Sequence, residues 1–343
     1  MVRIQQHSAA SITTGILALL LLAGAAGNPL RADDDKPVTG DAYYVLPIRG
    51  VFGLQVADSV VAAAYDEARK LKASAVVLEI ESPGGSVEEL KRIQATVRKY
   101  SDIRTIAYIR EAKSAAAILA MSCPDIVMAP AAAIGAAVPL RIGPDGTPQN
   151  IEAKFESSMR ADFRAAAENA GHEPLLVDGM MREDVELYLV RVGGGYKVSE
   201  HRGDKILKKK GQILTLTTKE ALECGLSSGT ATRIEDCFKA LKLKNYRDIG
   251  PQGRERSEAW AKQVDEALEK MKESRRNFDK AITDANAALR ARRKTDFTSA
   301  LQRASSNLRR MEDICKKYPA IGDGDPLRDL RNRLTALRKS LER

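Results

Sequence analysis

Between residues 43 and 243, short apolar runs alternate with stretches of helical periodicity. Of all the features of the sequence, this alternation limits the possible folds most strongly. The predicted strands are 44–48, 75–80, 105–109 and 126–129, and the predicted helices are 58–71, 87–100, one starting at 114 and one over about 153–170. Strands separated by helices of this length need crossover connections, which produce a mainly parallel sheet. The pattern therefore predicts an α/β fold with helices flanking the sheet.

A second region begins at Pro251, where the composition shifts to charged residues, Ala and Leu without a strand pattern. Apolar residues recur there at spacings of three and four, which predicts three amphipathic helices. They suit a helical hairpin with a third helix, or a coiled-coil oligomer. We therefore divide the chain into an α/β domain at 43–250 and a helical module at 251–343.

The first 32 residues resemble a secretory signal peptide. Arg3 precedes an apolar stretch over 12–26, and small residues at 23–25 suit signal-peptidase cleavage. The apolar stretch is shorter than the roughly 20 residues that a membrane span needs, which favours cleavage over an uncleaved anchor. We therefore expect a signal peptide at 1–32, a linker at 33–42, and a periplasmic or secreted protein, membrane-associated if the segment is retained.

The charge is concentrated in the helical module. The chain carries a formal net charge of +9, and residues 251–343 hold 23 Lys or Arg against 15 Asp or Glu, a balance of 23 − 15 = +8. Because the charges alternate in sign along the helices, a solvated surface is favoured, and an anionic surface or an acidic partner protein is the alternative. We expect no nucleic-acid partner.

The four cysteines lack the close paired spacing of a zinc site. An exported chain could oxidise some of them, and a Cys224–Cys237 bridge is preferred because these two are close in the sequence. Cys123 lies in an apolar run and is expected to be a buried thiol.

The chemistry is expected at two serine-containing segments. Gly84 and Gly85 follow an apolar run and precede a helical pattern, so their N–H groups are expected to point towards one spot that favours negative charge. A Pro-Gly pair also forms ordinary turns. Further on, Ser114 precedes an Ala-rich helix, where a serine is either a helix cap or a nucleophile. A Ser-His-Asp triad is not expected, because His7 belongs to the signal segment and His172 and His201 lie in polar segments.

Residues 43 to about 243 resemble the ClpP/crotonase-like superfamily of serine proteases, within it the NfeD-like ClpP-class proteases, and more distantly signal peptide peptidase A. The matching stretches are LPIRG at 46–50, EIESPGG at 79–85, SAAA at 114–117 leading to MAP at 128–130, IGAA at 134–137, and LTLTTKEAL at 214–222 with GL at 225–226. The resemblance implies a ClpP/crotonase-like fold, a peptide or protein substrate, a homo-oligomer and no cofactor.

The resemblance also implies a Ser/Lys dyad. It makes Ser114 the nucleophile and Lys154, at the start of the long helix, its base, with the oxyanion held in a cradle of Gly84, Gly85 and Ala115. The amides that hold it are those of Gly85 and Ala115. An ordinary lysine has a pKa near 10.4, so we expect Phe155 and its apolar neighbours to desolvate the amine. Lys113 is the rival base, ranked lower because adjacent residues point apart.

The chain departs from the family at two places. It has Ala116 and residues 111–113 (Glu-Ala-Lys) where the family often has Gly and a Gly-Ala-Arg approach. The helical module also stands where transmembrane helices and a small β-barrel commonly follow in the family.

The main hypothesis is an exported serine endopeptidase, and the alternative is a catalytically inactive scaffold whose helical module docks a partner. Acyl-CoA chemistry of the crotonase type is disfavoured, because CoA is cytosolic and this chain is expected to be exported.

Overall fold

The computed structural model describes residues 41–142, 147–322 and 325–340. The predicted signal peptide at 1–32 and most of the linker at 33–42 lie outside the described residues. Between them, the described segments contain three sheets and ten α-helices.

The central sheet has six strands, which are β1 Ala42–Phe52, β2 Ala75–Gly85, β3 Arg104–Lys113, β4 Asp125–Gly135, β10 Thr215–Thr217 and β11 Arg247–Asp248. Their order across the sheet is β10-β4-β3-β2-β1-β11. All neighbours are parallel except β10, which runs antiparallel to β4. The predicted mainly parallel sheet is therefore confirmed.

Helices surround this sheet on the α/β part of the chain. They are α1 Asp58–Lys70, α2 Val87–Lys99, α3 Ala115–Met121, α4 Ala153–Asn169, α5 Leu175–Met181, α6 Thr218–Glu223 and α7 Ile234–Ala240. Two small antiparallel sheets complete it: β5 Leu140–Ile142 with β6 Pro148–Asn150, and β7 Leu187–Val192 between β8 Gly195–Ser199 and β9 Lys205–Lys208. The central strands are apolar on both faces because helices cover both sides, as expected for parallel strands.

The strands β2, β3 and β4 extend beyond the apolar runs that predicted them. Register shifts occur after Ile80 between β2 and β3, and after Ile109 between β3 and β4, and pairing then resumes. Such irregularities bend strands and re-aim their side chains. Beyond the shifts, the polar end of β2 contains Gly84, and the polar end of β3 leads directly to Ser114.

Three further helices follow β11: α8 Gln252–Arg290, α9 Lys294–Lys317 and α10 Arg328–Lys339, with a 3₁₀ turn at Pro319–Ile321. The start of α8 packs on β1, where Ser257 Oγ donates to the Pro47 carbonyl (2.8 Å). The distal part of α8 forms a separate apolar cluster with α9 and α10, centred on Phe278, Phe297 and Leu330. The helical region is thus joined to the sheet at one end and has its own core at the other.

The four cysteines are all free thiols. The preference for a Cys224–Cys237 bridge is therefore wrong. Cys224 ends α6 and its thiol faces the Ala221 carbonyl, whereas Cys237 lies within α7, and both are buried. Burial raises the pKa of the Cys224 thiol to about 11, which disfavours the thiolate needed for oxidation. Cys123 is buried as expected.

Within the described ranges, no helix has both the length and the apolar character needed to cross a bilayer.

Candidate active site

Ser114 lies at a sharp turn between strand β3 and helix α3. Its backbone has φ +54° and ψ −126°, a conformation that is rare for residues other than glycine. The Ser114 amide donates to the Gly135 carbonyl at 3.0 Å, which ties the turn to the end of β4. Strained backbone held by its surroundings is concentrated at functional sites, and a strand–serine–helix turn is one known way of presenting a nucleophile.

The capping alternative for Ser114 does not fit this geometry. An N-cap residue normally has extended backbone, and its side chain accepts a hydrogen bond from the first helical turn. Ser114 has neither property, since its φ is positive and its side chain makes no capping hydrogen bond. The hydroxyl group is therefore not used for starting α3.

Gly84 lies directly against this turn. A β-carbon placed on Gly84 would lie 2.6 Å from Ser114 Cβ and 2.9 Å from the Ala115 nitrogen. Gly84 also has φ +96°, which favours glycine. The structure thus brings Gly84, Ser114 and Ala115 together, because β2 and β3 are parallel neighbours that both end here.

The amide of Gly84 is already occupied. It donates to Ser82 Oγ at 3.0 Å, and the Ser82 hydroxyl in turn donates to the Gly50 carbonyl at 2.6 Å. Gly84 therefore leaves room for Ser114 and Ala115, but its N–H group is not free to bind an oxyanion. Gly85 and Ala115 remain as the candidate oxyanion donors. Sequence reasoning missed this role of Ser82, although a serine hydroxyl that accepts from the amide two residues on is a recognised local pattern.

Gly85 is confined by strand β1. It has φ +141°, and a β-carbon there would lie 2.6 Å from both the nitrogen and the oxygen of Phe52. Only a residue without a side chain allows the two backbones to approach so closely. The position of Phe52 therefore helps to set the direction of the Gly85 peptide.

Lys154 occupies the first turn of α4 and is mostly in solvent. Its side chain is 73% exposed, and its Nζ lies 3.3 Å from Glu152 Oε2 and 4.9 Å from the centre of the Phe155 ring. No hydrogen bond joins it to Ser114 within the described part of the chain. The expectation that Phe155 desolvates Lys154 is therefore wrong for the single chain, because Phe155 is itself exposed.

The exposure of Lys154 follows from how α4 is anchored. Its buried residues, Phe163 and Ala167, lie in its second half. Arg160 and Arg164 both pair with the buried Asp178 of α5, at 3.5 and 3.4 Å. These contacts hold the middle and end of the helix and leave its first turn without apolar cover.

The rival base pairs with a carboxylate, and the histidines lie away from Ser114. Lys113, although next to Ser114 in the sequence, is exposed and pairs with Glu111, two residues before it on β3. His172 Nε2 lies 2.7 Å from the Cys123 carbonyl, beyond the opposite end of α3 from Ser114. Burial lowers the pKa of His172. His201 is exposed in a loop, where its backbone amide donates to Ser199 Oγ.

Ala116 is fully buried in the core, so its methyl group packs inside the protein.

The parallel sheet and the strained serine turn define an α/β protein with a candidate nucleophile at the strand ends. A sequence profile described as "NfeD1b, N-terminal domain" matches residues 42–248, and the chain belongs to this family. The match ends just before α8, so it covers the α/β part and not the three final helices.

A curated relative and solved structures agree with this family. The chain is 27% identical over 228 residues to membrane protein NfeD1b of Bacillus subtilis (strain 168), an alignment that covers 66% of this chain and 45% of that protein. The chain thus spans less than half the length of the curated relative. A structure of the 1510-N membrane-bound stomatin-specific protease, a lysine-to-alanine mutant in complex with a substrate peptide, matches with a TM-score of 0.51 at 19% identity. It covers 66% of this chain and 99% of that chain.

A serine-to-alanine mutant of the same protease matches with a TM-score of 0.48 at 19% identity, covering 62% of this chain and 99% of that chain. The family profile confirms the expected NfeD-type family, and the first of these structures confirms the expected fold.

Proposed function

We propose that this protein is an exported serine endopeptidase that hydrolyses peptide bonds with a dyad of Ser114 and Lys154. The observation that carries the proposal is the strained turn at Ser114, with Gly84 packed against it and the hydroxyl free of a capping bond. The name of the solved relative, a protease with a lysine replaced and a substrate peptide bound, supports the same chemistry.

The proposed reaction has two stages. Ser114 Oγ attacks the peptide carbonyl carbon while a neutral Lys154 amine takes the hydroxyl proton, and the amides of Gly85 and Ala115 stabilise the oxyanion. Lys154 then gives the proton to the leaving amine as the peptide C–N bond breaks. Water, deprotonated by the same amine, hydrolyses the acyl-enzyme ester and restores Ser114.

The exposed position of Lys154 sets a condition on this chemistry, because water stabilises the ammonium form of a lysine, and an ammonium group has no lone pair with which to accept a proton. We propose that a second copy of the chain covers the first turn of α4. Phe155, in this turn, and Leu140, on the preceding strand β5, are exposed apolar side chains, and such groups are typical of surfaces that become covered. Contact with a second copy would exclude water from the Lys154 amine and so disfavour its charged form.

A second candidate function is a non-catalytic scaffold, and the exposure of Lys154 favours it. In that case the α/β part would hold a peptide or a partner without cleaving it. The basic helices α8 to α10 would then contact a partner protein or an anionic surface.

Hydrolysis of a fluorogenic peptide library separates the two functions. The endopeptidase requires that Ser114→Ala abolishes cleavage and that Lys154→Ala reduces it about a hundredfold or more, as expected for loss of a general base. Lys197→Ala, which removes another exposed lysine from β8, is the matched control and is expected to keep full activity. Cleavage that survives Ser114→Ala would contradict the proposal, and binding without cleavage would favour the scaffold.

Export is tested independently of activity. We propose that the mature protein lacks the first 32 residues, so intact mass of the protein from its native host should match a start near residue 33. A mature protein that begins at Met1 would contradict removal of the segment.

A further inference from the structure

The segment 50–56, which comprises the end of β1 and the first residues of its connection to α1, lies between the glycine turn and helix α8. On the side of the glycine turn, Phe52 packs against Gly85, and the Phe52 carbonyl accepts a hydrogen bond from the Ser86 amide at 3.0 Å. A β-carbon placed on Gly53 would lie 3.2 Å from Ser86 Cβ. This connecting segment therefore forms one wall of the candidate oxyanion turn.

A continuous set of contacts passes from Gly84 into the same segment. The Gly84 amide donates to Ser82 Oγ, and the Ser82 hydroxyl donates to the Gly50 carbonyl. Gly50 lies against Gln55, since a β-carbon on Gly50 would lie 2.7 Å from Gln55 Cβ. Gln55 Oε1 also accepts from the Val51 amide at 3.1 Å. Gln55 thus fixes the part of the segment to which the Ser82 hydroxyl is bonded.

Helix α8 holds the other side of the segment. Gln55 Nε2 donates to Asp265 Oδ1 at 2.7 Å, and Trp260 Nε1 donates to the Leu54 carbonyl at 2.9 Å. The Trp260 ring packs on Tyr318, with ring centres 5.9 Å apart. Ala320, in the 3₁₀ turn, lies 3.8 Å from the β-carbon position of Gly53. The first part of α8 and the turn after α9 thus both contact the segment 50–56.

We infer that the C-terminal helices are a positioning element for the oxyanion turn, acting through Gln55 and Asp265. The inference rests on the proposed function, and it assigns a role to the part of the chain beyond the family match. Asp265 and Trp260 contact the segment 50–56 and not the reacting atoms, so they are positioning residues. A change in how α8 docks would move Gly50, then Ser82 and Gly84, and would misalign the oxyanion donors.

A donor–acceptor exchange tests this inference. In Gln55→Glu, the side chain still accepts from the Val51 amide, but it loses its donor to Asp265 and faces a carboxylate. In the double variant Gln55→Glu/Asp265→Asn, the new side-chain amide at position 265 donates to the new carboxylate at position 55 and restores the pair with its direction reversed. Glu266→Gln, an exposed neighbour on α8, is the matched control.

The first readout is the kcat and KM of peptide cleavage. We expect Gln55→Glu to lower kcat about fivefold with KM within twofold, and the double variant to recover to within twofold of the wild type. A purely structural role would not give this recovery together with an unchanged KM. Equal kcat in Gln55→Glu and the wild type would overturn the inference.

The second readout, amide hydrogen exchange over residues 82–86, does not depend on activity. We expect faster exchange there in Gln55→Glu and wild-type exchange in the double variant. If the wild type cleaves no peptide but exchange responds in this way, the positioning contact stands and the proposed function fails. If exchange at 82–86 does not respond, the inference fails whatever the activity.

Discussion

Gly84 and Ser114 are in direct contact across the ends of two neighbouring strands, and a β-carbon on Gly84 would lie 2.6 Å from Ser114 Cβ. The contact explains why a glycine follows Pro83 at this place. It also couples the shape of the glycine turn to the orientation of the serine, so most consequences of the proposed site can be tested at these two strand ends.

Gly84→Ala is expected to reduce peptide cleavage about a hundredfold or more, because the new methyl group would displace Ser114 and the Ala115 amide. The measurement is kcat/KM together with the melting temperature. Gly211→Ala is the matched control, since Gly211 has φ +82° and a β-carbon there would meet nothing within 4 Å. Gly211→Ala therefore has the same strain from a positive φ as Gly84→Ala, but no neighbour for its methyl group to displace. Equal losses of activity in both variants would contradict the account.

Ser82→Ala is expected to destabilise the fold by about 1–3 kcal/mol, since it leaves the Gly84 amide and the Gly50 carbonyl without their shared partner. Urea unfolding followed by circular dichroism measures this change. Peptide cleavage should also fall at temperatures where the variant is fully folded, and the loss of stability cannot explain that fall. The exposed Ser101→Ala is the control and should be neutral. A fully active Ser82→Ala variant would show that this hydroxyl does not hold the turn.

The four long strands of the central sheet were predicted from their apolar runs, but their ends and their order in the sheet were not. The runs stop at Ile80, Ile109 and Ala129, whereas the strands continue to Gly85, Lys113 and Gly135. The residues beyond each run still pair with the neighbouring strand, because pairing resumes after each register shift. Pairing between distant segments, unlike apolar periodicity, is not visible in a single sequence.

The candidate site was predictable in part for the same reason. The glycine turn and Ser114 belong to contiguous motifs, and the structure brings them together. Lys154 is solvated because the first half of α4 is not the half that packs against the core. The helix is held instead by the ion pairs with Asp178 and by the buried residues around Phe163. The short helices α5 and α7 were missed, since segments of seven residues carry too little periodicity to be recognised.

The stability of the protein is expected to fall as the pH decreases from about 7 to 5, in part through His172. Burial lowers the pKa of His172 below its ordinary 6.5, so the unfolded chain binds this proton more readily than the folded one. The stability that the neutral imidazole provides is present above pH 6.5 and is lost as the pH falls through the lowered folded value. Unfolding by urea across this range should show a weaker pH dependence in His172→Gln than in the wild type. The exposed His201→Gln is the control and should keep the wild-type slope.

Trp260→Phe is expected to destabilise the protein by about 1 kcal/mol, because it removes the hydrogen bond to the Leu54 carbonyl and keeps most of the ring packing on Tyr318. Circular dichroism during urea unfolding measures the loss. Tyr196→Phe, at a solvent-exposed pair with Arg191, is the control. Since Trp260 is the only tryptophan in the chain, its fluorescence in the wild type also reports directly on the docking of α8. Identical stabilities of Trp260→Phe and the wild type would show that this bond does not contribute to docking.

The most direct test of the central claim is covalent labelling of Ser114 by a fluorophosphonate, located by peptide mass spectrometry and measured between pH 6 and 10. With a Ser114–Lys154 dyad we expect a single adduct on Ser114, a labelling rate that rises with pH, and a large loss of rate in Lys154→Ala but not in Lys197→Ala. Absence of an adduct on Ser114 across this pH range, or an equal rate in Lys154→Ala and the wild type, would contradict the Ser114–Lys154 dyad.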